Sequence, residues 1–231
     1  MTILLYDLVG QDPARPFSPH CWKVAMALAH KGLAFRSVPT PFTGVAGVEG
    51  GFSRTVPVIR DGEKLVADSF DIALYLEDAY PDRPSLFGGE GGKAMARFVE
   101  RWTQHTIHPF LGAAAIMDIH DRLAPADQAY FRDSREKRNL GRTLESVASE
   151  REARHPEFLK KLEPLRSLLT YQPFIGGSSP LFADYIVFGA FQWVRVTSTF
   201  AFLPEDDPLT AWVGRCLDLH GGVGRKVAAA A

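Results

Sequence analysis

The feature that most constrains the fold is a change of texture between Tyr80 and Gly92, a stretch dense in proline, glycine and acidic residues. Before it, short apolar runs alternate with helix-like segments; after it, every periodic segment has helical spacing. Strands mixed with helices and then helices alone point to two domains of different class. The boundaries are placed at 1–84 and 93–231. In the first part, Thr2 to Leu8 reads as a strand that breaks at Gly10 to Pro16. A helix follows Ser18-Pro19, with Val24, Ala27 and Leu28 at helical spacing and Gly32 as its stop. Phe35 to Val38 is a second strand, and Pro39 to Ser53 lacks a helical period and is expected as a loop. Val56 to Arg60 and Lys64 to Val66 flank Asp61-Gly62, a strong hairpin signal. Ser69 to Ala79 is a helix that Pro81 ends. The expected fold is therefore α+β, a mixed four-stranded sheet with helices, followed by an all-α domain. Helices there are expected over Lys93 to Leu123, Asp127 to Arg151, Pro156 to Tyr171, Phe182 to Thr199 and Pro208 to His220.

Charge and cysteine content exclude several functions. Twenty-six basic and 27 acidic residues leave a net charge of -1, which offers no phosphate-neutralising face for nucleic acid. Two cysteines, Cys21 and Cys216, make no disulfide framework and suit a reducing compartment. The apolar start is too short for a signal or a membrane span, so the expectation is a cytoplasmic protein without membrane attachment.

Three short motifs carry chemistry. Ser18-Pro19-His20-Cys21-Trp22-Lys23 opens the first helix, where unpaired N–H groups and the dipole favour a thiolate. The Ser18 hydroxyl can donate to such a sulfur, and it can equally cap the helix with Pro19 in the first turn; the two roles are compatible. Ser18 and Cys21 have the spacing of a Cys-x-x-Cys motif whose exposed cysteine is replaced, so Cys21 is expected as a packed apolar residue. Val56-Pro57-Val58-Ile59 places a proline in a strand, which requires an edge position or a cis bend that turns the Val56 N–H and C=O outward. Asp68-Ser69 opens the next helix, with Ser69 as the expected N-cap and an anion site beside it. His105, His108 and His120 share one expected helix, but no cysteine or carboxylate completes a ligand set, and no metal site is expected. Trp102, Phe110, Ile116 and Met117 are expected as core or pocket lining.

Together these motifs resemble the glutathione-binding half of the glutathione transferase family, with its thioredoxin-like first domain. Over nearly its whole length the chain is similar to the bacterial β-aryl-etherase-type and fungal etherase-related members, through Phe42-Thr43-Gly44, the run Tyr75-Leu76-Glu77 to Pro84, Ser134-Arg135-Glu136, Leu162-Glu163-Pro164, Phe182-Ala183-Asp184-Tyr185 and Asp206-Asp207-Pro208-Leu209. The resemblance implies a transferase with glutathione as co-substrate, Ser18 as the thiol-activating residue, Val56 and cis-Pro57 on the cysteinyl backbone, and Asp68 and Ser69 on the γ-glutamyl end. Arg54 stands one position before the family's usual basic site, which is Thr55 here, and is carried as a glutathione contact. Asp184 lacks the family's Ser or Thr three residues earlier, where Leu181 stands; Asp184 is expected to cap its helix for folding, helped by Ser178 or Ser179. The implied partners are a small apolar or aromatic electrophile, bordered by Phe17, His20 and Phe42, and a second copy in a homodimer. Carriage of apolar ligands without turnover, as in a ligandin, and a glutathione-dependent isomerase are the alternative activities.

Overall fold

A computed structural model describes residues 2–138 and 141–231. Strands β1 (Ile3–Leu8), β2 (Phe35–Thr40), β3 (Val58–Asp61) and β4 (Lys64–Ala67) form one sheet in the order β2-β1-β3-β4. β1 pairs parallel with β2 and antiparallel with β3, and β3 antiparallel with β4. The parallel β1–β2 pair needs a crossover, supplied by helix α1 (Pro19–His30), and helix α2 (Ser69–Ala79) follows the hairpin. The expected mixed four-stranded sheet is thus present.

Local chemistry accounts for these boundaries and for the departures from expectation. Helix α1 stops where expected, with Gly32 at a φ of 63° that a side chain would strain. The hairpin loop is Gly62-Glu63, one residue later than expected, and β3 starts at Val58 instead of Val56, because Pro57 has no N–H to give the ladder. The Val56–Pro57 bond is cis. The expected loop after β2 winds instead into 3₁₀ turns over Phe42–Gly50, broken at Val48 and Glu49. These turns escape a 3.6-residue period because 3₁₀ geometry repeats every three. The turns are tethered at both ends. Asp127, buried on a helix of the second domain, accepts hydrogen bonds from Phe42 N (2.8 Å) and Thr43 N (2.8 Å). Glu49 is held by the Arg60 guanidinium and the Tyr6 hydroxyl, and the Arg60 contact keeps its carboxyl down at about 2.

The second domain is helical from Glu90 onward, but its helices are shorter and more numerous than the periodicity predicts. The expected helix 93–123 is α3 (Glu90–Trp102), a π turn over Thr103–Ile107, α4 (His108–Ala114) and α5 (Ile116–Asp121). Pro109 supplies the reason: its ring clashes with the carbonyl four residues back, and widening the preceding turn relieves the clash. The expected helix 127–151 divides into α6 (Pro125–Arg138) and α7 (Leu144–Ala148), and its residues 139–140 lie outside the described residues. Pro156 does not start a helix but lies inside α8 (Arg151–Lys161), which α9 (Glu163–Leu169) follows. Helices α10 (Phe182–Thr197) and α11 (Pro208–Gly222) complete the fold, α11 kinked at Leu219–Gly221.

Helix α10 is the axis of the molecule, buried along its length except at Trp193 and Arg195. Asp184, in its first turn, accepts from Ile175 N (2.7 Å), Gly176 N (2.9 Å), Leu181 N (3.0 Å) and Trp212 Nε1 (3.1 Å). The capping role expected for Asp184 is present, carried by backbone amides and an indole without Ser178 or Ser179. The domains meet where α1 packs on α10, and Gly189 permits it: a Cβ there would stand 2.4 Å from the Pro19 carbonyl oxygen. Buried Lys23 of α1 crosses to Glu100 of α3 at 3.2 Å.

Candidate functional site

The head of α1 is built around Ser18, its N-cap and 4% exposed. The Ser18 Oγ accepts from His20 N (3.2 Å) and Cys21 N (3.3 Å), and Pro19 occupies the first helical turn without an N–H to satisfy. A hydroxyl has two lone pairs and one proton. With acceptor capacity spent on the two amides, the Ser18 O–H proton remains available for donation. Capping therefore does not compete with donation. The preceding loop is held by Phe17 N to Leu8 O (3.0 Å) and Trp22 Nε1 to Pro16 O (3.2 Å). Cys21 is fully buried, and its burial pushes the thiol well up, away from the thiolate. It is the packed residue expected, and Cys216 is likewise buried and free.

The sheet brings the other motifs to the same edge. Tyr6 pairs with Val58, so Val56 falls opposite Leu8 when that register is extended. Val58 pairs with Ala67, so Pro57 falls opposite Asp68. The Val56 backbone takes part in none of the hydrogen bonds found outside the ladders. At α2 the expected N-cap is corrected: Asp68 caps, accepting from Phe70 N (2.8 Å) and Asp71 N (3.2 Å), and Ser69 is the first helical residue. Aspartate caps as well as serine does, and at a φ of 72° Asp68 directs its carboxylate back over the helix start. The Ser69 hydroxyl, 2% exposed as a residue, has no hydrogen-bond partner among the described residues.

A cavity of about 800 Å³ opens beside Ser18, between the domains. Ser18, Arg54, Thr55 and Val56 line it from the first domain; Pro57, Asp68 and Ser69 stand outside its wall. Phe17, His20 and Phe42 also line it, as expected for the bordering residues. The opposite wall comes from the helical domain: His108, Ile116, Tyr130, Phe131, Arg135 and Trp193. Of the four residues expected as core or lining, Ile116 lines the cavity, Phe110 stacks on Phe158 in the core at 4.3 Å, and Trp102 and Met117 pack half-buried against it.

The electrostatics of the wall follow from burial. His108 is pushed down to about 4, chiefly by burial and further by Lys23, so it is neutral at physiological pH. His20, edge-on to His108 with ring centroids 5.3 Å apart, is lowered for the same reasons. His105 lies in the π turn and His120 pairs with Asp121 at 2.8 Å, so the three histidines do not converge. Among the described residues no group of His, Cys, Asp and Glu is placed to hold a metal ion.

Sequence reasoning missed Tyr130, Phe131, Arg135 and Trp193, which have helical spacing but no motif to mark them as lining. It also missed Asp127, whose role is visible only when α6 meets the 42–50 turns.

The geometry agrees with likeness to known proteins. Residues 13–84 match the family model for the glutathione S-transferase N-terminal domain, and residues 94–201 that for the C-terminal domain. A zeta-class glutathione S-transferase of Euphorbia esula is 29% identical over 112 residues, covering 46% of this chain and 50% of that protein. Glutathione S-transferase Z2 of Arabidopsis thaliana is 35% identical over 106 residues, 44% and 48% of the two chains. The chain thus aligns with about half the length of these curated relatives. Likeness to solved structures runs end to end. A crystallised glutathione transferase of Phanerochaete chrysosporium matches at a TM-score of 0.76 and 27% identity, over 98% of this chain and 94% of that one. A Ceriporiopsis subvermispora glutathione S-transferase, solved in complex with glutathione, shares the fold at a TM-score of 0.76 and 23% identity, with the same coverages. With both domain models matched in order across most of its length, on a thioredoxin-like sheet and a helical second domain, the chain belongs to the glutathione S-transferase family.

Proposed function

We propose that this protein is a glutathione transferase in which Ser18 stabilises the thiolate of bound glutathione for attack on an electrophilic aromatic molecule in the interdomain cavity. The observation that carries this reading is the Ser18 hydroxyl, saturated as an acceptor by two helix amides and set on the wall of the interdomain cavity. Donation of its proton to sulfur favours the ionised form and raises the fraction of nucleophile at neutral pH. In this reading the free Val56 N–H and C=O pair with the cysteinyl backbone as a short added strand beside cis-Pro57. The Ser69 hydroxyl and the start of α2 take the γ-glutamyl carboxylate, Asp68 takes the amino group, and Arg54 faces the glycyl end. Phe17, Phe42, Phe131 and Trp193 supply the apolar surface for the second substrate. The stretches Phe42-Thr43-Gly44, Ser134-Arg135-Glu136 and Asp206-Asp207-Pro208-Leu209, which resemble the etherase-related members, support placing it with them. We expect a cytoplasmic homodimer; no described helix is long and apolar enough to cross a membrane.

The test is the pKa of enzyme-bound glutathione, read from thiolate absorbance in wild type and Ser18→Ala. The variant is expected to return the thiol towards its ordinary value of about 8.5 and to lower kcat/KM at neutral pH by roughly tenfold or more. An unchanged thiol pKa removes Ser18 from the mechanism. Tight aromatic binding with no glutathione consumed, over a panel of electrophiles, would make the protein a carrier instead.

A further inference from the structure

The cavity beside Ser18 carries a charge pattern that an apolar substrate does not require. Three arginines line it, Arg54, Arg135 and Arg138, and no aspartate or glutamate does, in a chain whose overall charge is -1. Arg135 is the unusual one. Its guanidinium lies over the Phe131 ring at 4.8 Å and the Phe42 ring at 5.7 Å. Among the described residues its side chain makes one hydrogen bond, a 3.3 Å contact from Nη1 to the neighbouring Ser134 Oγ.

The carboxylates around it are committed elsewhere. Asp127, on the same helix, accepts from Phe42 N and Thr43 N. Glu136 pairs with Arg132 at 2.9 Å, and Asp133 with Lys137 at 2.7 Å. Other arginines find an acid or a carbonyl: Arg97, Arg132, Arg142, Arg151 and Arg166 each stand within 3.4 Å of a carboxylate oxygen, and Arg122, Arg195 and Arg215 donate to backbone carbonyls. Arg135 has none within ion-pair distance among the described residues. A guanidinium keeps its charge and presents five donors in a planar fork. Held against two aromatic rings and partly desolvated, it is set for a bidentate anion. Arg138, one turn on from it, adds a second positive charge on the same wall. The neutral His108, whose buried Nε2 has no partner, adds an unused polar atom.

We infer that Arg135, assisted by Arg138, forms an anion subsite in the second-substrate cavity, and that the protein selects aromatic substrates bearing a carboxylate. The ring lies against Phe42 and Phe131 and the carboxylate takes the Arg135 fork. Arg135 sets specificity and orientation; it takes no part in the chemistry at sulfur. This inference rests on the glutathione-transferase reading for the identity of the cavity, not for the charge on its wall.

A matched pair of ligands tests it: 4-chloro-3-nitrobenzoate and its neutral amide, 4-chloro-3-nitrobenzamide. Their affinities are measured by calorimetry on the full-length protein loaded with S-methylglutathione, which has no free thiol, so that no turnover is needed. Wild type is expected to bind the benzoate about tenfold or more tightly than the amide, as one unshared charge-assisted contact supplies. Arg135→Gln is expected to bring the pair to near parity, leaving amide and S-methylglutathione affinities within about twofold. Arg135→Lys should restore part of the preference. Equal affinities in wild type overturn the inference whatever the variants do, as does an equal loss of both ligands in Arg135→Gln. A fall in S-methylglutathione affinity in that variant overturns it too, because Arg135 would then serve glutathione's own carboxylate. If S-methylglutathione does not bind wild type, the glutathione reading fails separately, and the benzoate preference, measured on the unloaded protein, still decides the anion subsite.

Discussion

Individual residues in this protein take on properties their type alone does not carry. Asp184 is an acid by type and a scaffold by placement, organising three amides and the Trp212 indole from within α10. Asp184→Ala would leave those donors buried without a partner, and a loss of roughly 2–4 kcal/mol is expected in urea denaturation. Asp184→Asn keeps acceptor capacity and should lose less. Asp7 is the opposite case. Buried on β1, with Oδ1 unpaired and Ser37 Oγ donating to Oδ2 at 3.3 Å, it is pushed up to about 7 by burial. A carboxyl raised above its unfolded value contributes stability below pH ~4 that is lost as pH rises through about 7. Asp7→Asn removes that loss, so the variant is expected to gain on wild type progressively between pH 4 and pH 7, read from denaturation midpoints across that range.

At the scale of elements, helix termini do more than end helices. The head of α1 is pinned from three sides: by its own Ser18 cap, by the Phe17 and Trp22 bonds to the loop before it, and by α10 pressed against Pro19 at Gly189. Gly189→Ala would put a methyl 2.4 Å from the Pro19 oxygen, and backbone cannot yield as a flexible side chain can. The expected result is destabilisation of about 1–3 kcal/mol, together with a raised pKa of bound glutathione under the role proposed for Ser18, which the displaced element carries. The 42–50 turns depend similarly on α6. Asp127→Ala frees Phe42 N and Thr43 N, and with them the Phe42 ring on the cavity wall. A severalfold rise in KM for an aromatic electrophile is expected, with a smaller change in KM for glutathione, both from steady-state kinetics.

For the whole molecule, the domain interface is where burial has acted on titratable groups. His20, His30, His108 and His220 are all lowered chiefly by burial, His108 and His220 to about 4. Each unfolded imidazole takes a proton near pH 6.5 while the folded one resists it, so the unfolded state binds more protons as pH falls. Stability contributed by these four residues is complete above pH ~6.5 and declines as pH drops towards about 4. Asp7 opposes this slope over the same range, so Asp7→Asn should steepen the acid decline of the protein, measured as thermal midpoints from pH 7 to pH 4.5.

The two-domain plan, the sheet elements and the motifs at Ser18, Val56-Pro57 and Asp68-Ser69 were legible in the sequence because each rests on short-range chemistry: a cap, a proline's missing N–H, a glycine in a turn. Local chemistry also misled. Serine and aspartate both cap helices, so adjacent in sequence they could not be ranked, and only the backbone at Asp68 chose between them. The long helical periods of the second domain hid their interruptions, because a π turn or an internal proline preserves the apolar face while changing the element. The far wall of the cavity was not legible, since Tyr130, Phe131, Arg135 and Trp193 carry no motif, come from segments far apart in sequence from Ser18, and face it only when α10 seats against α1. The sequence by itself determined the local chemistry at Ser18, Val56-Pro57 and Asp68-Ser69, because caps, prolines and turns act at short range. The tertiary structure decided what else faces it, because desolvation and unpaired charge arise only when distant surfaces exclude water together.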